Sequence, residues 1–262
     1  KGYWTHDTIR DVWERQARAN ADKEYVADDQ GCRMTYGEVD DAASRLAAWL
    51  VSQGIKPGDV VTLQFPNWAE FTIAYVACFK TGAVIQSLAR NFNGADLTYA
   101  MNLVESRAYI GPTSFHGVDY EQQILDIAGD IPTLKVIALV DKKAPKQTDL
   151  PTVAEIVATT EPLAEKVPVE SDQVACLLST SGTTGKPIVA GYTREDLDVW
   201  SECIARLVQM AGVVPGDIAQ MAFGYGMFTG GFGLHYGLQR LGCAMIPAGS
   251  GNTERHIQMI ED

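Results

Sequence analysis

No run of apolar residues in this 262-residue chain approaches the length of about twenty that crosses a bilayer as a helix. Basic residues are also scarce: 21 Lys and Arg stand against 33 Asp and Glu, a formal net charge of −12. Such a chain repels phosphate backbones and anionic lipid surfaces, so neither nucleic acid nor a membrane is expected as a partner. A local phosphate site remains open, because backbone N–H groups build one without basic side chains. Cysteine is sparse and irregular. Cys32, Cys78, Cys176, Cys203 and Cys243 make an odd number without a C-x-x-C, mostly in apolar surroundings. They read as buried thiols of a reducing compartment, which places the protein in the cytoplasm. No His, Cys or Asp cluster has metal-ligand spacing, so protein-held zinc is not expected. Lys1-Gly2-Tyr3-Trp4 begins no apolar signal region. The chain opens without Met and stops at Ile260-Glu261-Asp262 with no capping signal, so both ends read as cut.

What is present is enough apolar material for a sizeable core, 46% of residues, in a length suited to one large or two ordinary domains. Helix and strand patterns alternate. Ile9, Val12, Trp13 and Ala17 recur at helical spacing behind a cap expected at Thr5 or Asp7. Tyr25–Asp28 and Cys32–Thr35 read as a hairpin turning at Asp29-Gln30-Gly31. Thr35-x-x-Glu38 is a capping box, and Val39, Ala42, Ala43, Leu46, Ala47 and Leu50 line one helix face. The alternation continues through strand Val60–Phe65, helix Trp68–Lys80 ending at Gly82, and strand Ala83–Ser87. Helix Leu97–Val104, strand Arg107–Ile110, helix Tyr120–Ala128 and strand Lys135–Val140 follow. This implies an α/β fold around largely parallel sheets.

Between 141 and 172 four prolines (Pro145, Pro151, Pro162, Pro168) fall among scattered charges. The segment reads as a surface connection with one short helix near Val153–Val157, its Glu161–Asp172 charges solvated. Residues 1–172 are accordingly expected as a first α/β subdomain with this connection, and 173–262 as a second one, truncated at its carboxy-terminal end. An internal echo bears on this. Gly54-Ile55-Lys56-Pro57-Gly58-Asp59-Val60 recurs as Gly212-Val213-Val214-Pro215-Gly216-Asp217-Ile218, and Gly82-Ala83-Val84-Ile85 finds its match from Gly242 to Ile246. Ordinary α/β punctuation and two similarly built subdomains explain it equally.

The most chemically distinctive segment is Leu178-Ser179-Thr180-Ser181-Gly182-Thr183-Thr184-Gly185-Lys186-Pro187, at the end of an apolar strand. Glycines turn backbone N–H groups inward, hydroxyls donate further hydrogen bonds and lysine adds charge, a combination suited to polyphosphate rather than to a plain solvated turn. It is not a Walker loop: two residues, not four, separate the glycines, and Pro187 stands where a magnesium-binding hydroxyl belongs. Nor does Gly224-x-Gly226 make a dinucleotide fingerprint, since the next glycine is Gly230.

Thr180 to Pro187 closely resembles the signature loop of the adenylate-forming enzymes, which include acyl- and aryl-CoA synthetases, luciferases and adenylation domains. The resemblance implies that Thr180, Ser181, Gly182, Thr183, Thr184, Gly185 and Lys186 clamp the β- and γ-phosphates of ATP, with magnesium arriving on the nucleotide. A carboxylate attacks the α-phosphate and the acyl group then passes to coenzyme A. Residues 1 to about 180 are similar to fatty-acyl-CoA ligases, through Met34–Glu38, Gly54–Val61 and Gln64–Phe71. Beyond Pro187, Ile188–Thr193, Phe223–Gly231 and His235-Tyr236-Gly237 resemble phenylacetate-CoA ligases instead. The change of character between 180 and 188 fits a natural intermediate, a fused gene or an artificial chimera alike.

By this second resemblance Tyr225, Gly226, Phe228, Gly230 and Gly231 border the acyl pocket; a tightly packed strand-to-helix junction is the other reading. His235 beside them reads as structural rather than as an acid–base catalyst. The family's glutamate for magnesium, aspartate for ribose and carboxy-terminal lid lysine have no counterpart here, so no catalytic residue is assigned. The expectation is the amino-terminal part of an ATP-dependent carboxylate–CoA ligase, inactive alone. The alternative is a non-catalytic or chimeric chain completed by a partner. An exposed apolar surface and self-association through it are expected in either case.

Overall fold

The computed structural model describes residues 7–143, 146–180, 188–222, 229–249 and 253–261. Helix α1 (Ile9–Ala19) opens the fold, capped by Thr8 rather than by Thr5 or Asp7. The Asp11 N–H donates to the Thr8 hydroxyl (3.2 Å) while the Asp11 carboxylate accepts the Thr8 N–H (2.9 Å), a reciprocal box that fixes the start of the helix. Strands β1 (Glu24–Ala27) and β2 (Arg33–Thr35) form the expected hairpin. Thr35 then caps α2 (Tyr36–Ser52) with Glu38 closing the box, and the six predicted apolar positions of α2 are all buried.

The chain continues through β3 (Val60–Gln64), α3 (Ala69–Thr81) and β4 (Val84–Leu88). Next come α4 (Gly94–Leu103), β5 (Ala108–Pro112) and a small hairpin of β6 (Ser114–Phe115) and β7 (Val118–Asp119). Helix α5 (Tyr120–Ile127), β8 (Val136–Val140) and α6 (Val153–Thr159) lead to β9 (Val174–Thr180), which β10 (Ile188–Thr193) follows. Helix α7 (Arg194–Met210), β11 (Ile218–Gln220), α8 (Thr229–Leu241), β12 (Ala244–Ile246) and α9 (Thr253–Glu261) complete the order.

Two main sheets result. One has the order β10-β9-β4-β3-β5-β8 and is parallel except for its edge strand β10; the other has the order β11-β12-β1-β2, with β1 parallel to β12 and antiparallel to β2. Each draws strands from both sides of residue 173. Helix α2 touches β1 and β2, α3 touches β3 and β4, and α2 packs on α3, so these two helices lie between the sheets. One buried cluster accordingly runs from Val26 and Met245 through Leu46 and Ala74 to Val61 and Ile85. Along β5, Ala108 and Ile110 point into it, while Tyr109 points to a second cluster under α4 and α5 with Leu97, Met101 and Ile124.

The internal echo extends to individual hydrogen bonds. Asp59 accepts the Lys56 N–H (2.8 Å) as Asp217 accepts that of Val214 (2.8 Å). Gly58 donates to the Gly82 carbonyl (3.0 Å) as Gly216 donates to that of Gly242 (2.9 Å). Both turn glycines hold positive φ, 87° and 95°, which only glycine adopts without strain. The first unit feeds the parallel pair β3/β4 and the second the parallel pair β12/β11.

The proline-containing connection is strapped to the body. Arg10 donates to the Val167 carbonyl (2.5 Å), Arg45 to that of Thr160 (2.9 Å), and Leu163 bonds Ser44. Its Lys166 is not merely solvated but pairs with Glu14 at 2.5 Å. Among the described residues no helix is long and apolar enough to cross a membrane.

Candidate functional site

Strands β3, β4, β5, β8 and β9 run parallel, so their carboxyl ends form one rim, the usual place for a ligand in such sheets. The glycine–hydroxyl loop leaves this rim at Thr180, the last residue of β9. Thr180 pairs with Ile188, the first residue of β10, so residues 181–187 join two hydrogen-bonded neighbours. Ser181, Gly182, Thr183, Thr184, Gly185 and Lys186 themselves lie outside the described residues. On the second sheet, β11 leads to the segment holding Tyr225, Gly226 and Phe228, which also lie outside them. Gly230 and Gly231 fall in the first turn of α8.

The rims of the two sheets meet. A Cβ added at Gly249, after β12, would collide with the side-chain amide of Asn67, after β3. Only glycine, here at φ 79°, lets the two loops come this close. Long-range contacts of this kind leave no mark in local sequence.

The rim is held from behind by buried polar groups. Gln64, ending β3, accepts the Tyr109 hydroxyl (2.9 Å) and donates to the Ala89 carbonyl (3.2 Å). Tyr120 and Gln123 donate to the carbonyls of Arg90 (3.0 Å) and Phe92 (3.1 Å), so the loop after β4 is pinned at three points. Deeper in the sheet, Thr62 donates to Gln86 (2.7 Å) and lies within hydrogen-bond reach of Ser106 (2.7 Å), linking β4, β3 and the start of β5. Satisfied buried networks of this sort fix one register.

Asp28 supplies what α3 lacks. Trp68 gives that helix no side-chain cap, and the Asp28 carboxylate accepts the Ala69 N–H (3.0 Å) from across the fold. Its other oxygen accepts Gln30 (2.9 Å) and Cys32 (3.0 Å), so one carboxylate ties the first hairpin to the loop that follows β3. The turn signal at Asp29-Gln30-Gly31 gives no hint of this second duty.

His235 is buried on α8 with Nε2 3.1 Å from the Tyr25 hydroxyl, and burial pushes its pKa down to about 4. It is neutral near pH 7 and contributes no charge to a phosphate. Helix α8 sits tightly on α7, because Gly233 faces Trp200 where a Cβ would lie 2.5 Å from Cε2. On its other side Phe232 stacks on Tyr75, ring centroids 5.4 Å apart. An aromatic seam therefore joins α3 to α8, whose first turn holds Gly230 and Gly231. Among the described residues no group of three or more His, Cys, Asp or Glu could hold a metal ion.

Comparison with known proteins fits this geometry. A medium-chain fatty-acid–CoA ligase of Escherichia coli (strain K12) is 36% identical over 187 residues, 71% of this chain and 33% of the relative. A phenylacetate-coenzyme A ligase of the same strain is 50% identical over 94 residues, 36% of this chain and 22% of that relative. The chain thus spans a third or less of these two relatives. Among solved structures, a long-chain-fatty-acid-CoA ligase of Archaeoglobus fulgidus superposes with a TM-score of 0.84 at 16% identity, covering 99% of this chain and 50% of that one. The apo structure of MbtA from Mycobacterium smegmatis gives a TM-score of 0.80 at 25% identity, covering 94% of this chain and 44% of that one. Residues 13–190 match the family model described as AMP-binding enzyme, and the chain belongs to that adenylate-forming family.

Proposed function

We propose that this chain is the phosphate-holding amino-terminal part of an ATP-dependent ligase that joins an apolar carboxylic acid to coenzyme A. The observation that carries the reading is that β9 ends at Thr180 and β10 begins at Ile188 on the carboxyl rim of the six-stranded sheet, within a chain of this family. The residue types from Thr180 to Lys186 suit a triphosphate: hydroxyl and amide donors around one cation. ATP, when bound, supplies a phosphorus electrophile and a pyrophosphate leaving group, with magnesium arriving on its phosphates. The protein's own part is to hold the phosphates through loop donors and to place the α8 start, Gly230 and Gly231, near an apolar acid. Tyr225, Gly226 and Phe228 would border that acid. The acid class is left as apolar, because one relative acts on a fatty acid and the other on phenylacetate.

The loop alone is a weak anchor. About three charge-assisted hydrogen bonds of roughly 1.5–3 kcal/mol each are offset by at least about 4 kcal/mol of lost freedom on association. The surplus, at most about 1–5 kcal/mol, lies mostly below the roughly 4 kcal/mol of a millimolar dissociation constant. Calorimetry on the 262-residue chain is expected to show ATP bound at millimolar strength or weaker, weakened further by Lys186→Ala, with no acid-dependent pyrophosphate release. Micromolar affinity would mean a nucleotide site complete within these residues. Pyrophosphate release would overturn inactivity, and ATP binding unaffected by Lys186→Ala would overturn the loop assignment.

A further inference from the structure

The outward face of α4 and α5 combines three features that no ligase chemistry uses. First, a groove of about 800 Å³ lies open between the helices, lined by Gly94 and Tyr99 on one side and by Gln122, Asp126, Ile127 and Asp130 on the other. Its floor is narrow because Gly94 lacks a side chain: a Cβ there would lie 3.3 Å from Ile127 Cγ2. Second, an exposed apolar stripe begins in the groove and runs on along α4. Ala95 and Tyr99 line the groove and Leu103 follows them at i+8, outside it; Tyr99 and Leu103 are 47% and 50% exposed. The opposite faces of these helices already close the second core cluster, so the stripe has no duty inside the fold. Third, the charge around it is of one sign. From Asn91 to Asp130 the only Lys or Arg is Arg107, and its guanidinium is turned to Asp59 at 3.3 Å. The six acids of that stretch, Asp96, Glu105, Asp119, Glu121, Asp126 and Asp130, form no ion pair among the described residues.

Charge complementarity selects the occupant. A second copy of this chain would bring a net charge of −12 against the groove, and an anionic lipid surface is repelled for the same reason. A helix with apolar residues along one stripe and Lys or Arg beside it covers the exposed side chains and brings cations to carboxylates that have hydrogen-bond donors but no ion-pair partner among the described residues. We propose that the α4–α5 groove docks a basic amphipathic helix of a partner protein. This is independent of the ligase reading, since the groove lies on helices away from β9 and the loop after it.

The test uses the 262-residue chain and a labelled amphipathic peptide of about 18 residues with Leu on one face and Lys on the other. A scrambled peptide of the same composition, lacking the apolar stripe, isolates geometry from charge. Anisotropy is expected to show the ordered peptide bound at least about tenfold more tightly than the scrambled one, with affinity falling between about 50 and 200 mM salt. The exposed substitutions Asp126→Asn with Asp130→Asn, and separately Tyr99→Ala, are each expected to weaken it about fivefold or more. Neutralising the exposed Glu165 and Glu170 of the connection should change it less than about twofold. Circular dichroism confirms that each variant is folded. Equal binding of both peptides, or equal loss from the Glu165 and Glu170 control, overturns the proposal.

Discussion

Replacing Arg194 with Met should stabilise the protein. Arg194 opens α7 and is completely buried, with no hydrogen-bond partner for Nε, Nη1 or Nη2 among the described residues. Its guanidinium carbon lies 5.6 Å from the centre of the Phe79 ring, and the neighbouring Arg10 adds repulsion rather than relief. Burial first, and Arg10 second, push its pKa down to about 10. At about 1.4 kcal/mol for each tenfold change in proton affinity, holding the charge costs on the order of 3 kcal/mol. The ring face returns on the order of 2 kcal/mol. Methionine keeps the length and the apolar stem without the charge, so Arg194→Met should gain about 1–3 kcal/mol, as other buried charges do when replaced by apolar groups. With a urea m-value of about 1–3 kcal/mol/M, the unfolding midpoint should rise by roughly 1 M. The sign of the pH dependence is fixed as well. The folded-state value is lowered, so the penalty is complete below pH about 10, where both states are charged, and lifts as pH rises from there towards the unfolded-state value. The gain should therefore be constant from pH 6 to 9, taken as roughly neutral conditions. An Arg194→Met variant that unfolds at lower urea would show that the guanidinium makes bonds worth more than its burial costs, and would refute the reasoning.

Three further outcomes follow from the geometry. His235, pushed down to about 4 by burial, stays neutral in the fold while its unfolded counterpart protonates below about 6.5. Stability is thus lost as pH falls from about 6.5 to 4, by up to about 3 kcal/mol, and the difference in acid unfolding between wild type and His235→Gln should display that slope; parallel curves would contradict it. His116 holds φ 48° and Gly117 φ 82° in the two-residue turn between β6 and β7, so His116→Gly should raise the melting midpoint by an amount equivalent to about 0.5–1 kcal/mol. Asp28→Ala removes the carboxylate that caps α3 from outside and should cost at least about 1–2 kcal/mol in urea unfolding, with Asp28→Asn recovering part of it; an unchanged midpoint would show that water caps the helix equally well.

Features set by neighbours along the chain were legible in the sequence. The α2 face, the first hairpin and the Thr35–Glu38 box follow from periodicity and turn chemistry, and all three are present. The Pro-Gly-Asp echo was visible as text, and its meaning is a repeated hydrogen-bond pattern on two sheets. The cap at Thr8 escaped because Asp, not Glu or Gln, completes its box. Strand β10 escaped because its antiparallel pairing with β9 is a contact with a separate segment of the chain. At the candidate site, the strand leading into the glycine–hydroxyl loop was legible, whereas the approach of Gly249 to Asn67 and the reach of Asp28 to Ala69 were not. Both join residues remote in sequence, where local preference carries no information.

The parallel pairing of β1 with β12 has a consequence for how the chain is made. Val26 pairs with Met245, so the first hairpin cannot enter its sheet until almost all of these residues have been synthesised. At roughly 5–20 residues per second on the ribosome, that delay is on the order of 10–40 s. Throughout it, one edge of β1 has no partner strand, and Tyr25, 1% exposed in the finished fold, has only early neighbours such as Trp13 and Tyr36 to pack on. The six-stranded sheet can assemble as soon as β10 emerges, while the four-stranded one must wait for the far end of the chain. An emerging chain would thus carry a finished sheet beside an unfinished one, and it is the early hairpin that a chaperone would need to shield.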